Sequence, residues 1–242
     1  MIEIYKKLQT VDILAFGIHP DDIELSASGT LLSHIEKGYK VGLCDLSEGE
    51  LGTLGNAETR KEESLNAAEI LGVDFRVNLS MRDGFSQIDE SHILRIAEVI
   101  RCSRPKIILA NALEDRHPDH SRGARLVKEA FFFSGLRKIT KIQGEAFRAD
   151  VLYHYIQDKQ LKPDLCVGMA PFIDQKWESI KAYKTQFFRS AEEDVETPIS
   201  SLTFMKHVES SMRIFGRNIG EEFAEGFNVH RPIGVDNLLD LK

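Results

Sequence analysis

The stretch Val11-Asp12-Ile13-Leu14-Ala15-Phe16-Gly17-Ile18-His19-Pro20-Asp21-Asp22-Ile23-Glu24 decides how the rest of the chain is read. Its near-continuous apolar run, residues 11–18, reads as a strand covered on both faces, because a half-exposed strand would alternate. The run ends abruptly in polar residues, and residues 26–37 follow as a helix with Gly38 as its stop signal. Tyr39 to Leu46 is a second strand. Thr59 caps a helix from Arg60 to Leu71, which Gly72 closes. Phe75 to Leu79 is a third strand, residues 89–102 an amphipathic helix, Lys106 to Ala110 a fourth strand, and about His120 to Phe133 another helix. This alternation implies an α/β fold with a mainly parallel sheet and helices on both faces.

The second half is less regular. Asp150 to Gln157, Asp164 to Gly168 and Ala224 to Pro232 read as strands, and residues 172–186 and 203–218 as helices. Phe187 to Ser201 is polar and irregular. With no repeat or linker, residues 1–242 are read as one Rossmann-like domain whose second half walls a pocket. The net charge of -7 argues against a broad nucleic-acid surface. No apolar run is long enough for a membrane span, and the N-terminus lacks the order of a secretory signal. Three scattered cysteines, Cys44, Cys102 and Cys166, point to a reducing compartment, the cytoplasm.

Two segments carry the chemistry: His19-Pro20-Asp21-Asp22 after the first strand and Glu114-Asp115-Arg116-His117-Pro118-Asp119-His120 after the fourth. In an open parallel sheet, sites form beyond the carboxyl ends of the strands, so the fold can bring the two together. Zinc accepts imidazole and carboxylate ligands, and a catalytic site keeps three protein ligands. His19, Asp22 and His120 would give that set. The competing reading makes them polar loop residues that cap the next helices. Asp21 can serve as the general base for a water that the metal activates. His117 can stand across the scissile carbonyl as an imidazolium, to stabilise the oxyanion or protonate the departing amine. Asp119 either orients His117 or caps the following helix.

These motifs resemble the LmbE-like (PIG-L type) N-acetylglucosamine deacetylases. The resemblance rests on residues 17–24 and 116–120, with Thr59-Arg60-Lys61-Glu62-Glu63 between them and Glu225-Gly226-Phe227 near the end. Within that family the chain is most similar to the N-acetylglucosaminyl-malate deacetylases of bacillithiol synthesis and to relatives acting on N-acetylglucosamine or diacetylchitobiose. The resemblance implies one zinc on His19, Asp22 and His120, Asp21 as base and His117 as electrophile. It implies Arg60 on sugar hydroxyls, where the residues alone favour a surface pair with Glu63. It also implies a small-molecule N-acetyl amino-sugar conjugate as substrate and a homo-oligomer, since malate-conjugate relatives are often hexameric. Glu24 reads as a helix-start or supporting residue.

Where such relatives carry a tyrosine that reaches the oxyanion, this chain offers Phe204, which cannot donate a hydrogen bond. A malate aglycone would need a cation, for which Arg116, Arg189 and Lys184 are candidates. Residues 47–56 read as either a substrate lid or a plain connector. Phe131-Phe132-Phe133 reads as core or subunit contact, and His34, His92, His154 and His207 as structural or solvated. Three rivals stand beside the deacetylase: a glycosidase using Asp21 and Asp119, a dinucleotide-binding protein, which the missing G-x-G-x-x-G disfavours, and a non-catalytic metal-binding protein.

Overall fold

The computed structural model describes residues 8–187 and 197–240. Seven strands form one sheet in the order β3-β2-β1-β4-β5-β7-β6. They are β1 (Ile13–Gly17), β2 (Val41–Ser47), β3 (Phe75–Met81), β4 (Ile107–Ala110), β5 (Val151–Tyr155), β6 (Leu165–Gly168) and β7 (Ala224–Val229). The first five run parallel, and β7 pairs antiparallel with both β5 and β6. The sheet is therefore mainly parallel, as the alternating pattern predicts.

β1 is central. Ile13 lies level with Val41 on one side and Ile107 on the other. Ile13 and Ala15 face a core shared with Val41, Leu43, Leu109 and Tyr155, while Leu14 and Phe16 face a second core with Cys44, Leu46, Val77 and Val127. Both faces of β1 are thus covered, which explains its unbroken apolar run. Strand order reverses between β1 and β4, so the crevice beyond their carboxyl ends is the topological switch point of the sheet.

The helices are α1 (Asp22–Ser26), α2 (Ser28–Glu36), α3 (Ala57–Leu71), α4 (Glu90–Ser103), α5 (Pro118–Ser134), α6 (Ile173–Lys181), α7 (Lys184–Phe187) and α8 (Leu202–Ile219). The helix expected over 26–37 is α2, and a short helix that the sequence reading lacks, α1, precedes it across a break at Ala27. Glu225 of β7 supplies the break with partners, because its carboxylate accepts from Gly29 N–H at 3.0 Å and Thr30 N–H at 2.7 Å. Asn56, rather than Thr59, caps α3. Its side chain accepts from the amides of Glu58 and Thr59, and the Thr59 hydroxyl accepts from the Asn56 amide. The helix expected over 172–186 is split into α6 and α7 at Tyr183, whose buried hydroxyl donates to Glu24 at 3.1 Å. Phe131 and Phe133 pack against the core, while Phe132 is exposed beneath the Arg148 guanidinium.

The second half is bolted to the first through Lys176 of α6. Its buried ammonium donates to the carbonyls of Glu24 and Leu25 at the end of α1 and to Glu225, each at 2.8 Å. One ion pair thus fixes the junction between α1 and α2, directly behind the His-Pro-Asp-Asp turn.

Candidate active site

The turn after β1 begins tightly. A Cβ on Gly17 would stand 2.9 Å from the His19 carbonyl oxygen, so glycine is what lets the chain double back there. Asp22 then opens α1, and His19 N–H donates to its Oδ2 at 2.9 Å. From the turn after β4, Asn111 donates to the same Oδ2 at 2.9 Å and also accepts from Ile18 N–H. Gln157, following β5, donates to Asp22 Oδ1 at 3.0 Å. Three strand ends therefore converge on one carboxylate.

Asp22 faces both predicted imidazole ligands. His120 Nε2 is 3.1 Å from its Oδ1 and His19 Nδ1 is 3.8 Å from its Oδ2. The outer nitrogen of each ring meets another acid: His19 Nε2 lies 3.0 Å from Asp83, and His120 Nδ1 is bonded to Asp115. Rings held by carboxylates on one side and facing an acceptor on the other match the outer support of metal-binding histidines. No sequence signal points to Asp83, and none gives Asp115 a role of its own.

The electrostatics ask for a cation. Asp21, Asp22, Asp83, Asp115 and Asp119 surround three imidazoles, with Arg60 and Arg122 as the adjoining fixed positive charges. Burial opposes a charge on His19, but hydrogen bonds to Asp119 and Asp83 outweigh it and carry the ring up to about 10. Burial likewise opposes charge on His120, and Asp22 and Asp115 raise it to about 9. Without metal, protons do part of the neutralising, and a divalent ion would displace them. The two imidazoles and one carboxylate are a donor set that suits zinc, so the residues present fit that ion. Two groupings bring their donor atoms within 4.8 Å of one another, His19 with His117 and His120, and His19 with Asp83 and Asp119, so His117, Asp83 and Asp119 compete with Asp22 for a place beside the ion.

Asp21 lies in the left-handed region, φ 114° and ψ −26°, which points its carboxylate into the crevice beside Asp22. Burial pushes the carboxyl up to about 7, against the pull of the Arg60 guanidinium. Arg60 donates to Asp21 Oδ2 at 2.8 Å, to the Pro20 carbonyl, and to Gln186 at 3.2 Å. It is buried, not a surface residue, and in place of the expected pair Glu63 accepts from the amide and hydroxyl of Thr185. Gly49, at φ +66°, crosses Arg60 so closely that a Cβ would stand 2.7 Å from the guanidinium carbon. Glycine there is what lets the 47–56 loop lie over the arginine.

His117 caps α5 and its Nδ1 accepts from Asp119 N–H at 3.3 Å. The ring proton of the neutral form therefore sits on Nε2. Burial lowers its pKa, and the neighbouring His19 and His120 lower it further, which favours the neutral ring over the expected imidazolium. The Asp119 carboxylate does not orient His117. It accepts from Gly84 N–H at 2.8 Å, bonds Arg122 and lies 3.6 Å from His19 Nε2, so only the Asp119 amide touches His117.

Asp21, Asp22, His19, His117 and His120 open on a cavity of about 580 Å³. Arg116 stands at its rim, half exposed and bonded to Asp158. Leu51 to Leu54 of the 47–56 loop line the cavity, and Leu51 N–H is anchored on Asp83 at 3.1 Å. Phe204 lines it too, its ring stacked on Phe187. His207, expected to be structural or solvated, also reaches the cavity. Glu24 is a fully buried support that accepts from Arg76 and Tyr183. Arg189 lies outside the described residues, and Lys184 is exposed on α7.

Residues 14–131 match the PIG-L family, described as GlcNAc-PI de-N-acetylase. The crystal structure of conserved protein TT1542 from Thermus thermophilus is 34% identical, with a TM-score of 0.83, over 95% of this chain and 99% of that one. A 4-oxalmesaconate hydratase from Pseudomonas putida is 26% identical over 72% of this chain and 73% of its own length. The N,N'-diacetylchitobiose deacetylase from Pyrococcus horikoshii shares the fold at 21% identity, TM-score 0.78, over 94% of this chain and 85% of that one. The chain belongs to the PIG-L family of LmbE-like enzymes. Among the described residues no helix is long and apolar enough to cross a membrane.

Proposed function

We propose that the protein hydrolyses the N-acetyl amide of an amino-sugar conjugate, with one zinc held by His19, Asp22 and His120. The observation that carries this reading is Asp22 set between two imidazoles whose outer nitrogens are tied to Asp83 and Asp115. When bound, zinc supplies Lewis-acid polarisation of the amide carbonyl and lowers the pKa of the attacking water. Asp21, fixed through one oxygen by Arg60, takes the proton from that water and is placed to return it to the departing nitrogen. Burial favours the protonated form of this carboxyl, which eases its handing the proton on. His117 donates its Nε2 proton to the oxygen on which negative charge develops. Phe204 has no donor to offer, so His117 carries that duty on the protein side.

The resemblance suggests the malate conjugate of bacillithiol synthesis as the finer substrate. Of the cations considered for malate, Arg116 is the one on the described cavity, and it already bonds Asp158. Three free cysteines fit the reducing cytoplasm. A second reading, hydration of an unsaturated tricarboxylic acid such as 4-oxalmesaconate, is favoured by the likeness to the Pseudomonas putida hydratase. One assay separates the two. Amine release is measured from N-acetylglucosamine, diacetylchitobiose and N-acetylglucosaminyl-malate, beside hydration of 4-oxalmesaconate, with and without a chelator. Free amine and acetate that vanish on chelation and return with zinc are the expected result. Hydration of the acid, with every N-acetyl sugar left intact, overturns the deacetylase reading.

A further inference from the structure

The cavity continues from the candidate metal site to α8, where its character changes. Phe204, Val208, Met212 and Phe215 line it from one face of that helix, spaced by three and four residues. Leu54 and Phe85 line it as well, and Phe85 is 60% exposed. Among the described lining residues the arginines and lysines are Arg60 and Arg116, and both are engaged, the first by Asp21 and the second by Asp158. His207 is likewise bonded to the Asp158 carbonyl at 3.0 Å.

An anionic substituent would find these positive groups already paired, in a crevice rich in carboxylates. An alkyl or aryl group would find Phe204 and Val208 partly exposed, with Met212 and Phe215 packed behind them. The volume of about 580 Å³ lies within the range that holds drug-sized ligands. A single amino-sugar ring would leave the α8 side unfilled.

We infer that the substrate carries an apolar substituent that lies against the 204–215 face of α8. This rests on the deacetylase reading, narrows it from any amino-sugar conjugate to an apolar one, and takes the place of the malate conjugate that the resemblance suggests. The substituent belongs either to the acyl group or to the aglycone, and two substrate series tell them apart. The first is N-acyl glucosamines from acetyl to octanoyl, and the second is methyl to hexyl and phenyl glycosides of N-acetylglucosamine. In the matching series each added methylene raises kcat/KM by up to about fourfold, the equivalent of about 0.8 kcal/mol per buried CH₂. An overall rise of tenfold or more in either series supports the inference and names the source. Flat or falling values in both, or N-acetylglucosaminyl-malate exceeding every apolar conjugate, overturn it.

Val208→Asp puts a charge on that wall. It lowers the ratio of long-chain to short-chain kcat/KM at least tenfold, and the milder Val208→Ala lowers it about threefold. An unchanged ratio in both variants also overturns the inference. If no amide is hydrolysed at all, the deacetylase reading fails by itself. Affinities of the same two series for the zinc-loaded protein, by calorimetry, then decide the matter: tighter binding with chain length supports the apolar wall, and flat affinity overturns it.

Discussion

On one side of the cavity, the turns after β1, β3 and β4 bring together Asp21, Asp22, Asp83, Asp115 and Asp119 with His19, His117 and His120. On the other, a single amphipathic helix presents Phe204, Val208, Met212 and Phe215. The polar wall is fixed at many points. Asp22 alone accepts from His19 N–H, Asn111 and Gln157, so its position is set by three strand ends. The apolar wall is held by packing, which constrains volume and leaves the partner's shape open. The difference means that the helix, outside the parallel part of the sheet, can change its side chains without moving the polar groups at the strand ends.

That contrast can be broken first at the polar wall. Asp21→Asn is expected to lower kcat by 10²–10⁴-fold while zinc, measured by metal analysis, stays bound. Near-normal turnover would remove Asp21 as base. His117→Ala should cost about 10²–10³-fold, also with zinc retained. Loss of zinc from this variant would instead make His117 a ligand in place of Asp22.

The next largest effect probes the link between the halves. Lys176→Met strands the buried Glu225 carboxylate and frees the end of α1, and should destabilise the fold by roughly 3–5 kcal/mol in urea unfolding. A change under about 1 kcal/mol would mean that the second half only leans on the first.

The smallest effect concerns His154, behind the site. Burial lowers its pKa to about 4, against the help of its bond to the Asn111 carbonyl at 2.8 Å, and the neighbouring His230 and Lys128 depress it further. The unfolded imidazole takes its proton near 6.5, but the folded one does so only near 4. The neutral ring's contribution is therefore complete above 6.5 and is lost as the pH falls from 6.5 to 4, at most on the order of 3 kcal/mol. His154→Asn should flatten the fall in melting temperature across that window. An unchanged slope would show that the ring is charged in the folded protein.

The sequence made the polar wall legible because strands buried on both faces leave continuous apolar runs, and the residues that follow them lie at the strand ends. Both motifs were readable in that way. Asp83 was not, since a lone aspartate between Arg82 and Gly84 has no periodic signal, and its role exists only where the turn after β3 meets His19. Arg60 was misplaced for a related reason. Glu63 at i+3 is its neighbour on a helix surface, whereas Asp21 and Gln186 reach it through tertiary structure. At α3 the cap fell on Thr59, because Asn56 sits in a glycine-rich loop and shares its hydrogen bonds reciprocally with that threonine.

Asp21 sits at φ 114°, a torsion that costs a residue other than glycine about 1–3 kcal/mol. Glycine would relieve that cost, but it would leave the buried Arg60 without its counter-charge. Exchanging both, with glycine at 21 and methionine at 60, would remove the strain and the buried charge together. That exchange would also strip the Pro20 carbonyl and Gln186 of their Arg60 donor, so the torsion at residue 21 is held by the same ion pair that fixes the neighbouring turn.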